Sequence, residues 1–355
     1  MASALRRYAF INAKLRARIS TLLPQENIDQ MIRAKTLPES IQFLKDSPYA
    51  AAESVYSQTG DLKMAELELF KEEIGLFSEI GKYVDTEVKS FVSALSLRYE
   101  IENLKHALRL WFDQRIRGRN IASLTGYLYR KQILYPIDVD SIVNAESFEA
   151  LLERLSGTPF AAVLSSCGSK LRETMSIFPC EMALDHYFYR TLLEAASTLK
   201  GRDRNIAMRM IGAEIDMQNI TWIVRFLTFY NMPVDEALSY LISGGFSLGI
   251  SDFKAAVQPE ENQDIVSTLM GKKYPEWQAF SSQKSGGPFG RLLLVERLLS
   301  QMIDEEVSHA MSGYPFTIGI VLAYFILKQN EIQKLITVLN AKYYELPEER
   351  IKSVI

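Results

Sequence analysis

One helical pattern occurs three times in this chain, and that repetition limits the possible folds more than any other feature. It is clearest in Glu214-Ile-Asp-Met-Gln-Asn-Ile-Thr-Trp-Ile-Val-Arg225. Asp216, Asn219 and Ile220 are matched upstream by Glu100, Asn103 and Leu104, and downstream by Glu331, Lys334 and Leu335, at separations of 116 and 115 residues. The same apolar slots surround each anchor: Ile101, Met217 and Ile332 before the Asn or Lys, then Ala107, Ile223 and Val338, then Leu108, Val224 and Leu339. This is helical spacing. Units of about 115 residues account for nearly all of the chain, so one structural unit is used three times.

A second element repeats with the first. Met31 to Tyr49 reads as a short helix, a Thr36 cap with Pro38 in the first turn, and a second helix ending before Pro48. Displaced by 111 residues it reappears as Ile142 to Phe160, pairing Ala34 with Ala145, Leu37 with Phe148, Pro48 with Pro159 and Tyr49 with Phe160. A fainter copy runs from Phe253 to Tyr274. The anchor helix precedes the helix pair in two copies, yet the chain begins with a helix pair and ends with the orphan Glu331 anchor. A closed ring cut inside one unit leaves such halves. The expected architecture is therefore all-α, with three pseudo-threefold helical repeats: 1–61 completed by 313–355, then 62–178, then 179–312. The C-terminal helix Lys328 to Lys342 is expected to pack beside the N-terminal segment.

Long amphipathic helices are expected over Leu62 to Ser90, Glu181 to Leu199 and Arg291 to Met311, with breaks at Tyr99, at Gly201 and Gly212, and at Gly313 to Pro315. The apolar run Tyr314 to Leu327 has 14 residues, short of the roughly 20 needed to span a bilayer, and reads as a buried core helix. Ser281 to Gly290 reads as a flexible linker, and one short extended piece is expected near Tyr135 to Asp140. The first 35 residues carry seven basic side chains; no apolar run long enough for a secretory signal follows the arginines, so this is a mature basic helix, with a solvated face or a contact to an acidic partner or lipid as alternatives. A net charge of −3 argues against a nucleic-acid partner. Cys167 and Cys180 are too few for a disulfide framework or a zinc site, which favours a reducing cytosol.

The chain lacks recognisable catalytic or cofactor patterns: no metal or cofactor is expected, and His106, His186 and His309 have no partner at ligand spacing. One polar constellation stands out. Asn219 lies on the apolar line Ile211, Ile215 and Ile223, and Asn103 lies beside Tyr99, Ala107 and Leu110. A buried amide needs partners, which Asp216 with Arg225 and Glu100 with Arg109 could supply. Glu100, Asn103, Arg109, Asp216, Asn219, Arg225 and Glu331 are therefore the candidate residues, either holding neighbouring units in register or lining a central cavity. A cofactor-free enzyme using Asp216, Asn219 and Arg225, or an open helical scaffold for a soluble protein, are rival readings.

The opening Arg7-Tyr-Ala-Phe-Ile-Asn-Ala-Lys-Leu-Arg-Ala-Arg18, the Glu/Asp-x-x-Asn anchors, and the ending Pro315 to Leu335 followed by Leu346-Pro-Glu-Glu-Arg-Ile351 together resemble the C subunits of the archaeal and bacterial V-type ATP synthases, a family related to the d subunits of eukaryotic V-ATPases. Lys334 and Asn340 depart from the Asn and Arg of the other two copies. The resemblance implies an all-helical funnel without nucleotide or catalysis, peripheral on the cytoplasmic face of the membrane. Its implied partners are the central shaft and the membrane proteolipid rotor ring, with one copy per complex.

Overall fold

The computed structural model describes residues 2–257, 265–274, 277 and 287–354, and every regular element among them is helical. They form two compact units, Met1–Phe188 with Tyr324–Ile355, and Tyr189–Ala323. The first contains α1 (Ala2–Ile19), α2 (Gln25–Arg33), α3 (Leu37–Gln42), α4 (Ala50–Thr59), α5 (Leu62–Ile80), α6 (Thr86–Arg115), α7 (Val139–Val143), α8 (Phe148–Arg154), α9 (Pro159–Ser165), α10 (Gly168–Thr174) and the start of α11 (Phe178–Thr198). The rest of α11 belongs to the second unit with α12 (Gly201–Thr228), α13 (Val234–Ser239), α14 (Ile250–Ala256), α15 (Ile265–Lys273) and α16 (Gly287–Ser312). Helix α17 (Gly319–Tyr343) starts in the second unit and continues into the first, where α18 (Glu348–Val354) follows.

Several expected boundaries move, each for a local reason. Leu62 to Ser90 is two helices, because Asp85 accepts from Val88 N at 3.1 Å and starts α6 afresh. Tyr99 does not break α6, which runs on to Arg115. Gly212 does not break α12 either; a Cβ there would lie 2.8 Å from Phe246 N, so the glycine admits a close backbone approach. The break at Gly313 is present, but the apolar run after it is irregular until α17 begins at Gly319. The extended piece expected near Tyr135 is not a strand: Asp138 caps α7 by accepting from Asp140 N at 3.1 Å. The expected linker lies, over 281–286, outside the described residues, as does part of the third helix pair.

The first two helix pairs share their capping chemistry. Thr36 accepts from Glu39 N at 3.3 Å and Ser147, its counterpart, from Ala150 N at 3.1 Å. Near the start of the next helix, Ser47 accepts from Tyr49 N at 3.0 Å, and Thr158 from Phe160 N at 3.3 Å. The first cap of each pair therefore meets its helix's early backbone donors in the same way.

The two ends of the chain meet in one core. Ile28, Met31, Leu44, Tyr49 and Leu69 pack with Ile332, Leu335, Val338 and Leu339 of α17, and Ile351 of α18 closes the cluster. Helix α1 buries Tyr8, Ile11 and Leu15 on one face. Much of its basic charge is used within the chain: Arg7 pairs with Asp85 and Glu87, and Lys14 and Arg18 both reach Glu79.

The cysteine reading needs correction. Cys167 and Cys180 form a disulfide with their Cα atoms 5.4 Å apart. The pair ties the start of α10 to the start of α11, and a count of two gave no signal of their proximity.

Candidate functional site

The repeated carboxylates and amides bind the chain's own backbone. In the second unit Asp216, fully buried, accepts from Ser247 N at 2.7 Å, Leu248 N at 3.3 Å and the Tyr274 hydroxyl at 2.7 Å. One turn on, Asn219 makes a reciprocal pair with a single residue: its carbonyl accepts from Ile242 N and its amide donates to Ile242 O, both at 2.8 Å. In the first unit Glu100 accepts from Leu134 N at 2.6 Å and Tyr135 N at 3.1 Å. Asn103 there accepts from Tyr129 N at 3.0 Å and donates to Tyr129 O at 2.8 Å. The irregular chain after each anchor helix is thus fastened back onto that helix at two levels.

The third anchor fastens the beginning of the chain to its end. Glu331 accepts from Leu23 N and from the Tyr49 hydroxyl, 308 and 282 residues away. Tyr49 and Tyr274, matched in the sequence only as apolar positions, supply the same hydroxyl to the same carboxylate position. Phe160 stands in their place in the middle copy, with its ring 5.4 Å from that of Tyr135.

A further repeated bond lies eleven residues beyond the carboxylate. Trp111 Nε1 donates to Ala145 O at 3.0 Å, and Lys342 Nζ, at the corresponding position of α17, donates to Ala34 O at 2.6 Å. Ala34 and Ala145 are counterparts in the two helix pairs. The chemistry of the donor changed while its acceptor stayed the same, so this link could not be read from residue identity.

Neither arginine plays the part expected of it. Arg109 Nε donates to Glu181 rather than to Glu100, and Arg225 is exposed, while Asp216 is served by backbone and Tyr274. Burial raises Glu100 and Asp216 above the ordinary carboxylate range, with their backbone donors pulling the other way. The Tyr49 and Tyr274 hydroxyls are raised by burial first and by the adjacent carboxylate second. Such groups are proton-bearing donors bound to acceptors, already committed to one another.

This arrangement leaves little for substrate chemistry. Every side-chain oxygen of Asp216 and Asn219 faces a donor from its own chain. His106, half-buried, is lowered by burial and by Arg109. Among the described residues no group of three or more His, Cys, Asp or Glu is arranged to hold a metal, and no helix is long and apolar enough to cross a membrane.

Every regular element among the described residues is helical, and the repeated buried polar groups bind the chain's own segments. The family described as ATP synthase (C/AC39) subunit matches residues 11–354, and the chain belongs to it. The A-type ATP synthase C subunit of Methanococcoides burtonii is 25% identical over 348 residues, covering 98% of this chain and 93% of that one. The protein of the same name from Pyrococcus horikoshii is 23% identical, covering 98% and 90%, and that from Methanosarcina mazei is 24% identical, covering 97% and 91%.

Proposed function

We propose that this chain is the non-catalytic central-stalk subunit of a V-type ATP synthase or ATPase, a socket joining the central rotor shaft to the membrane proteolipid ring on its cytoplasmic face. The observation that carries the reading is the match along residues 11–354 to a family of ATP synthase subunits, with relatives covered to 93% and 90% of their own length. In this reading the three repeats, 1–61 with 313–355, 62–178 and 179–312, close into a funnel. The joining of Leu23 and Tyr49 to Glu331 supports closure over an open solenoid, whose ends would stay apart.

A coupling part must transmit torque without yielding, and its own chemistry should resist local opening. Buried carboxylates and amides that pin loops to long helices supply that stiffness, because each opening event must break several hydrogen bonds at once. The test is affinity capture of the tagged chain from detergent-treated membranes. Rotary shaft and proteolipid subunits should copurify in fixed ratio; recovery of the chain free of every rotary subunit would reject the assignment.

A further inference from the structure

Glu73 of α5 is 6% exposed, and its Oε1 atom is buried with no hydrogen-bond partner. Two cations face it, Arg98 from α6 and Lys328 from α17. Both have other contacts. The Arg98 guanidinium lies 5.0 Å from the Phe188 ring. Lys328, itself 5% exposed, holds its Nζ 4.1 Å from the Tyr49 ring and 3.6 Å from Glu331 Oε2. Glu72 also acts on Lys328, and Tyr324 adds a buried hydroxyl nearby on α17. Glu331 is the residue that holds Leu23 N and the Tyr49 hydroxyl, so Lys328 stands between an unbonded acid and the joint of the two chain ends.

A buried carboxylate without hydrogen bonds is far more costly than the neutral acid. We propose that Glu73 is a proton-operated latch: with its proton it leaves Lys328 to Glu331 and Tyr49, and without it the carboxylate competes for Lys328 and loosens the joint between the chain's ends. Burial pushes the Glu73 carboxyl up to about 8, against the opposing pull of Arg98 and Lys328. The folded-state value lies above the unfolded one, so the chain takes up a proton on folding. The stability this contributes is fully present below the ordinary glutamate range and is lost as pH rises to about 8. Within that window the folding equilibrium constant drops by up to about tenfold per pH unit from this group alone.

The test compares the full chain with Glu73→Gln and with Glu73→Met, which keep Lys328 and remove the titrating acid. Urea unfolding and amide exchange at Leu23, corrected for base catalysis, are followed from pH 5.5 to 8.5. The wild type should lose stability relative to both variants by up to about tenfold per unit, and Leu23 exchange should accelerate over the same window in the wild type only. Parallel pH profiles in the three proteins would overturn the proposal. So would unchanged Leu23 exchange, or failure of both neutral replacements to fold, since the latch requires a neutral side chain at this position to be tolerated.

Discussion

Replacing Asp216 by Ala tests whether the repeated carboxylate is a structural pin. The change strands two backbone N–H groups, of Ser247 and Leu248, and the Tyr274 hydroxyl, which is 2% exposed. An unmet buried donor costs about 1–3 kcal/mol. Removing the carboxylate also ends its own desolvation cost, and water entering the vacated space recovers part of the rest, so the net loss is about 3–6 kcal/mol. Set against a domain stability of about 5–15 kcal/mol, that is a large fraction. Asp216→Asn keeps one acceptor and turns an amide N–H toward a donor, so it should lose about half as much. Tyr274→Phe removes one donor together with its claim on the carboxylate and should cost about 1 kcal/mol. Urea unfolding followed by circular dichroism gives the order. A loss below about 1 kcal/mol for Asp216→Ala, or a Tyr274→Phe loss as large, would refute the pin.

Asn219→Ala should destabilise by about 2–4 kcal/mol and Asn103→Ala by less, since Asn219 is fully buried while Asn103 is only partly so and water can replace its amide; equal losses in urea unfolding would contradict this. Gly245→Ala should unfold or strongly destabilise the second unit, because a Cβ there would land on Asp216 Oδ1 and within 2.5 Å of Leu248 O; a soluble variant with wild-type thermal stability would remove the close-approach argument. Reduction of Cys167–Cys180 opens a loop of sequence separation 13 and should cost about 2–4 kcal/mol; unfolding midpoints that coincide with and without reductant, once both thiols are shown to react, would exclude it.

The long helices were legible because burial imposes a 3.6-residue period on the apolar positions. The cap at Thr36 was legible because its side chain satisfies a nearby backbone donor, so the signal is local. What failed was non-local or bore two meanings. Gly212 read as a break, whereas its role is to admit Phe246. Arg109 and Arg225 sat at attractive spacing from carboxylates, yet the donors that reach Glu100 and Asp216 are mostly main-chain N–H groups, which carry no residue signature. Glu73 was invisible because an unpaired buried acid looks, in sequence, like any glutamate on an amphipathic helix.

The departure at Lys334 favours one of the two roles first open to the polar pair. In the first two copies the Asn grips a residue of irregular chain, Tyr129 or Ile242, lying five residues before the first amide held by the carboxylate. Counting back the same distance from Leu23, whose amide Glu331 holds, gives Arg18. Arg18 lies in the last turn of α1, and its carbonyl already accepts from Thr21 N at 3.0 Å. Helical backbone offers an amide nothing to grip, so the Asn has no work there, while the carboxylate, which still meets a free N–H at Leu23, is retained. A polar lining for a central cavity would have no reason to follow the hydrogen-bonding state of the opposing backbone residue by residue. A device for fastening chain to helix must, and on that ground we propose the structural role for the repeated pair.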